Sequence, residues 1–181
     1  GALLSGAKTI WLPRFDPAAV IEALPQATVF MGVPTMYVRL LDDPRFDRRA
    51  CANMRLFISG SAPLLEETFR EFEERTGLRI LERYGMSETI MLTSNPYDGN
   101  RVAGTVGLPL PGVGVRVVDD IGLACGPDEV GAVQAWRQLL VREGSEVRKH
   151  RAASDERGLS GQAPVDQHEL EGFFGRHVRV D

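Results

Sequence analysis

The chain has 181 residues, 43% of them hydrophobic and 25% charged, with a formal net charge of −4. That balance fits one globular domain or a piece of a larger one, and its mild acidity argues against nucleic acid as a partner. No run reaches the roughly 18 apolar residues of a membrane span, and the N-terminus lacks the basic and apolar segments of a signal peptide.

In chain order, residues 8–12 (Lys-Thr-Ile-Trp-Leu) read as a strand. Asp16 offers an N-cap and Pro17 a first helical position for a helix over 18–24. Residues 28–31 are a second strand. Pro34 opens a helix with Met36, Tyr37, Leu40 and Leu41 at helical spacing, and Asp42-Asp43-Pro44 closes it. Residues 55–58 form a third strand. The helix after Pro63 is expected to bury Leu64, Leu65, Phe69 and Phe72, with Glu66/Arg70 and Glu71/Arg75 paired on its wet face. Gly77 suits the position just past its end, and a fourth strand follows over 78–81.

Short apolar strands alternating with amphipathic helices predict an α/β fold, a mainly parallel sheet flanked by helices. After Asn95, proline and glycine become dense, and 113–118 with 130–133 read as strands of a smaller β-rich region. Low hydrophobicity and mixed charge predict a poorly ordered tail, flexible over 142–168. The expected division is therefore 1–100 for the α/β part, 101–135 for the β-rich part and 136–181 for the tail. Cys51 and Cys125 lie far apart without a Cys-x-x-Cys pair. Free thiols and a disulfide both fit the sequence, and a cytoplasmic location favours the thiols. His150, His168 and His177 read as surface histidines.

The densest concentration of chemistry is Tyr84-Gly85-Met86-Ser87-Glu88-Thr89, expected as one short turn after an apolar strand. A flat ring can stack on a base, hydroxyls can meet phosphate oxygens, and a carboxylate can hold Mg²⁺. Taken alone, the same six residues also suit an ordinary strand exit bearing a surface acid. Ligands of parallel sheets sit at the carboxyl ends of strands, where both Ser59-Gly60-Ser61 and Tyr84-Gly85-Met86 are expected. Both loops can therefore face one crevice.

Three further stretches join them: Val-Phe-Met-Gly-Val-Pro-Thr-Met-Tyr-Val-Arg-Leu-Leu at 29–41, Arg-Leu-Phe-Ile-Ser-Gly-Ser-Ala-Pro at 55–63, and Gly-Thr-Val-Gly-Leu-Pro-Leu-Pro-Gly at 104–112. In that order they resemble the adenylate-forming acyl-CoA synthetases. Within that family, Leu-Glu-Arg-Tyr-Gly-Met-Ser-Glu-Thr at 81–89 with Thr-Ser-Asn-Pro-Tyr-Asp-Gly at 93–99 looks most like the malonyl-CoA synthetases. The resemblance runs to about Gln134. It implies an ATP-dependent acid–CoA ligase that activates malonate or a similar acid as acyl-AMP before transfer to CoA.

By the same resemblance, Tyr84 would stack on adenine, with Ser59, Gly60, Ser61, Ala62 and Pro63 lining the base's other side and Gly85 and Met86 beside it. Ser87 and Glu88 would be the catalytic pair, Ser87 bonding a phosphate and Glu88 holding Mg²⁺; the family usually has threonine at Ser87. Arg39 would grip the acid's second carboxylate, Met86 would wall the pocket or serve as plain core, and Arg83 reads as structural. The family's phosphate loop ending in Pro-Lys-Gly and its lysine-bearing lid are not found in 1–181, and beyond Gln134 the expected Arg-Gly-x-Asn and Thr-Gly-Asp stretches are not recognisable. The chain alone is thus expected to be inactive. The alternative from another class is a non-catalytic nucleotide-binding remnant. A dinucleotide domain is disfavoured, because no Gly-x-Gly-x-x-Gly follows the first strand.

Overall fold

In a computed structural model, residues 4–126, 129–143 and 146–152 are described, with side chains as far as Trp136. Helix α1 (Pro17–Ala23) begins where Asp16 Oδ1 accepts the backbone N–H groups of Ala18 and Ala19. Strand β1 (Val29–Gly32) leads directly into helix α2 (Pro34–Leu41), β2 (Leu56–Ser59) into helix α3 (Glu66–Thr76), and β3 (Ile80–Met86) into β4 (Ile90–Ser94). The two-residue strand β5 (Leu108–Pro109) completes the first sheet. Gly77 ends α3 in the left-handed conformation, φ 74°, that a glycine adopts without strain.

The first sheet has the order β1-β2-β3-β4-β5. Its first three strands are parallel and its last two antiparallel. The antiparallel half arises because β3 runs through Tyr84-Gly85-Met86 and only Ser87-Glu88-Thr89 turn. That corrects the expectation of one turn over all six residues. Backbone pairing to β4 holds the tyrosine–glycine step extended.

Two other local expectations are also corrected. Residues 8–12 form no strand; no neighbouring strand pairs with them, and the sheet's edge is β1. Leu65 is 64% exposed, because α3 starts after it and Leu65 stands at the N-cap, whereas Leu64 is buried.

A second sheet has the order β6-β7-β8, with β6 at Val113–Val118, β7 at Ala132–Glu143 and β8 at Glu146–Ala152. The stretch expected to be poorly ordered thus begins, as far as Ala152, as the backbone of β7 and β8. Residues 153–181 lie outside the described residues, as do the side chains of all three histidines. Among the described residues both cysteines are free thiols. Among the described residues no helix is long and apolar enough to cross a membrane.

The main core lies between the sheet and helices α1, α2 and α3. Phe72 of α3 packs its ring 5.0 Å from Phe57 of β2 and 5.7 Å from Tyr37 of α2, with Phe46 completing the group. Tyr37 is fully buried and donates its hydroxyl to Ile58 O at 2.6 Å, which answers the polar cost of placing a phenol there. On the sheet's other face, Leu56, Ile58 and Leu81 form a smaller cluster.

Candidate functional site

Strand parity decides what each loop residue can reach. Alternate side chains of a strand leave opposite faces. Ile80 joins the main core and Leu81 the small cluster on the far face. By that alternation Glu82 and Tyr84 leave on the α3 side, and Arg83 on the side of Leu81.

A cleft of about 280 Å³ opens on Arg83's side at the carboxyl ends of β1, β2 and β3. Met31, Gly32, Val33 and Met36 wall it from the β1–α2 junction. Ile58, Gly60 and Ser61 wall it from the end of β2, and Arg83, Gly85 and Met91 from the β3–β4 hairpin. Arg83 is the one charged side chain of this lining, and none of the ion pairs among the described residues uses it. Its guanidinium is therefore free for an anion. Sequence reading took Arg83 as structural; the signal that could have found it is its parity opposite Tyr84.

The cleft brings Gly60, Ser61 and Gly85 together. Ala62 and Pro63 stand exposed on the bend beyond them, and Ser59 is fully buried at the end of β2. Tyr84 is half-buried and packs against the cluster of Leu92, Val113 and Val115, so the second sheet supports its ring. Met86 (44% exposed), Ser87 and Glu88 lie at the solvent-facing tip of the hairpin, outside the cleft lining. Arg39 is also outside that lining; its guanidinium carbon sits 4.9 Å from the centre of the Phe15 ring.

Both loops carry unusual backbone. Among the described residues, the non-glycine positions with left-handed φ are Ser61 at 69° and Ile90 at 58°. A β-branched residue in that region is uncommon and costs on the order of 1–3 kcal/mol. Ile90 is held there by the β3–β4 pairing, where the register slips between Tyr84 and Gly85.

Beneath the loops is a polar layer of Ser59, Glu82, Thr93, Asn95 and Thr105, each at most 3% exposed. Asn95 is well satisfied, donating to Thr105 O at 2.6 Å and accepting from Val102 N at 3.1 Å. Glu82 Oε1 accepts the Leu64 N–H at 2.9 Å, whereas Glu82 Oε2, Ser59 Oγ and Thr93 Oγ1 have no partner among the described residues.

Burial pushes the Glu82 carboxyl up to about 7 from its ordinary 4.5, opposed in part by the Leu64 N–H bond. With the folded value above the unfolded one, the native state holds an extra proton between those limits. The stability this group contributes is complete below about pH 4.5 and is lost as the pH rises through about 7. Urea unfolding of wild type and Glu82→Gln from pH 4 to 8 should show wild type losing up to about 3 kcal/mol relative to the variant. A flat difference would contradict the assignment.

As a magnesium ligand, Glu88 fits one chemistry better than another. Mg²⁺ is commonly held by one or two carboxylates together with substrate phosphates. An exposed hairpin carboxylate suits that arrangement. No group of three or more His, Cys, Asp and Glu among the described residues suits an all-protein cage.

The chain is 43% identical over 131 residues to the malonate–CoA ligase ACSF3, mitochondrial, of Mus musculus, covering 64% of this chain and 22% of the mouse protein. The crystal structure of ATP-bound MatB from Rhodopseudomonas palustris aligns with TM-score 0.71 at 50% identity, over 74% of this chain and 27% of MatB. A malonyl-CoA ligase ternary product complex with methylmalonyl-CoA and AMP bound aligns with TM-score 0.59 at 42% identity, over 67% of this chain and 27% of that one. The chain thus spans about a quarter of the length of these relatives. Residues 1–142 match the family described as AMP-binding enzyme, and with most of its length inside that match the chain belongs to this family.

Proposed function

We propose that the chain is the central part of an ATP-dependent acid–CoA ligase acting on malonate or a close diacid. The observation that carries this reading is the cleft at the strand ends, with one unpaired cation, Arg83, among small and apolar walls. A guanidinium grips a carboxylate through two parallel N–H bonds, so a diacid presenting one end to ATP has a partner for the other. Arg39 is the second candidate for that grip, through the N–H donors it keeps while stacked on Phe15.

The bend at 59–63 is shared between the two sides of β3. Arg83's side takes the acid, and Tyr84's side takes the adenine, with Ser59, Gly60, Ser61, Ala62 and Pro63 against the base. Gly85 leaves room at the crossing, and Met86 walls its outer end. Ser87 hydrogen-bonds a phosphate oxygen, and Glu88 holds Mg²⁺, which when bound neutralises phosphate charge. The acid's carboxylate attacks the α-phosphorus of ATP, forming acyl-AMP and releasing pyrophosphate. The CoA thiol then displaces AMP. Attack of one anion on another needs its charge neutralised in advance; Arg39 and Arg83 contribute positive charge, Ser87 a hydrogen bond, and Glu88 would contribute only through the cation it would hold.

Calorimetry with AMP and Mg²⁺ tests the nucleotide side. Binding is expected, and Tyr84→Ala should weaken it by about 5- to 150-fold, the usual worth of one base–aromatic stack. Heat indistinguishable from dilution would sink the reading. With malonate, ATP and CoA together, the chain alone should release no pyrophosphate above blank; turnover by the isolated chain would refute its being a part only.

A further inference from the structure

Glu82 carries a cost that the proposed chemistry does not use. It is 3% exposed, one oxygen has no partner, and it projects from β3 on the Tyr84 side. A buried carboxyl with an unsatisfied oxygen is destabilising compared with an apolar side chain of similar size. Its one hydrogen bond crosses to the other loop: Oε1 accepts from the Leu64 N–H, 18 residues away and two residues ahead of α3.

Two more contacts bring the same segments together. Ser59 is the register partner of Glu82 across the parallel β2–β3 pair, and its own hydroxyl is buried without a partner. Gly60 lies so close that an added Cβ would stand 3.2 Å from Arg83 O. Between Gly60 and Leu64 the chain passes through Ser61 in its left-handed conformation. The bend is therefore pinned at its start by strand pairing and at its end by the Glu82 side chain, with a strained residue between the two pins.

We propose that Glu82 is a positioning residue that ties the bend at 59–64 to the Tyr84 strand, so that the two sides of the nucleotide site keep their spacing. The residue touches neither nucleotide nor acid; it acts through the Leu64 backbone. Removing its acceptor frees the end of the bend, lets Ser61 relax, and lowers nucleotide affinity without altering any group that faces the ligand. The proposal rests on the nucleotide reading above.

The experiment pairs amide hydrogen exchange with AMP calorimetry on the whole chain. In wild type, the Leu64 amide should exchange at least 10-fold more slowly than in an unstructured peptide, since Glu82 is its acceptor. Glu82→Met, similar in volume without the acceptor, should exchange at least 10-fold faster at Leu64 and bind AMP at least 10-fold more weakly. Glu82→Gln, which keeps an acceptor oxygen, should restore both to within about 3-fold of wild type. Exchange at Phe57 and Ile80 should be the same in all three, which separates a local release from global loss of the fold. An unprotected Leu64 amide in wild type overturns the proposal without any variant. So does a folded Glu82→Met chain with wild-type exchange and affinity, and so does a Glu82→Gln chain as impaired as Glu82→Met. Failure of wild type to bind AMP counts against the nucleotide reading instead, while Leu64 exchange still decides whether Glu82 ties the bend.

Discussion

Gly85→Ala is expected to destabilise the chain by at least about 3 kcal/mol and to abolish AMP binding in whatever remains folded. The reason is local and steric. A Cβ at residue 85 would lie 2.2 Å from Ile90 O and 2.8 Å from Met91 Cα. Both are backbone atoms of the paired strand, so no side-chain rotation can make room. The strands would have to part where the register slips, between the Tyr84 ring and the cleft. Because φ at Gly85 is not positive, the penalty comes from close approach rather than from conformational strain. Gly126→Ala is the control: its nearest neighbour would be the flexible end of Glu129 at 3.4 Å, and its effect should stay within about 0.5 kcal/mol. Urea midpoints of both variants check this. A Gly85→Ala chain as stable as wild type would mean that the β3–β4 hairpin is not closed as described.

Phe72→Ala should cost about 3–5 kcal/mol. The side chain is fully buried and packs against three aromatic rings, at 5.0 Å (Phe57), 5.7 Å (Tyr37) and 5.8 Å (Phe46). Its neighbours lie on a helix, a strand and a loop, so they cannot all collapse into the space left behind. Edge-to-face pairs add about 0.5–1.5 kcal/mol each beyond burial, and they are lost together. Against a typical total of about 5–15 kcal/mol this is enough to unfold much of the population at 37 °C. Leu65→Ala, on the same segment but 64% exposed, should change stability by under about 0.5 kcal/mol. Equal losses from the two variants would show that α3 docks by a different face.

Helices were the most legible part of the fold. Asp16 with Pro17, Pro34, and Gly77 mark helix ends through bonds or conformations that involve residues a few positions away. The i,i+4 pairs of Glu66 with Arg70 and Glu71 with Arg75 form as spacing predicts, because one helix supplies both partners. Leu65 departs from its spacing for a related reason. The apolar spacing extends one residue past the helix start, and only the position of the N-cap shows that this leucine faces water. Residues 8–12 have the composition of a strand, but a strand exists only when another pairs with it.

The site was legible in its parts and illegible in its arrangement. The order of the glycine–serine bend and the tyrosine–glycine step along the chain identified two segments to be brought together, and through them the family. Which side chains share a cavity depended on strand parity: Arg83 turns into the cleft because Tyr84 turns away from it. Glu82 offered no sign of its position, since a glutamate between a leucine and an arginine reads as a solvated charge. Its place in the interior is tied to distant segments, through the Leu64 N–H that its carboxylate accepts and the Asn95 amide that its backbone carbonyl accepts.

Sequence alone therefore determined the helices, the strands β1 and β2 with the start of β3, and the family they belong to, because each depends on neighbours within one turn or on an ordered set of short motifs. Tertiary structure decided the antiparallel hairpin carrying Tyr84, the choice of Arg83 for the cleft, and the burial of Glu82. Those depend on pairing and exclusion of water between segments far apart in the chain, whose energies no local pattern records.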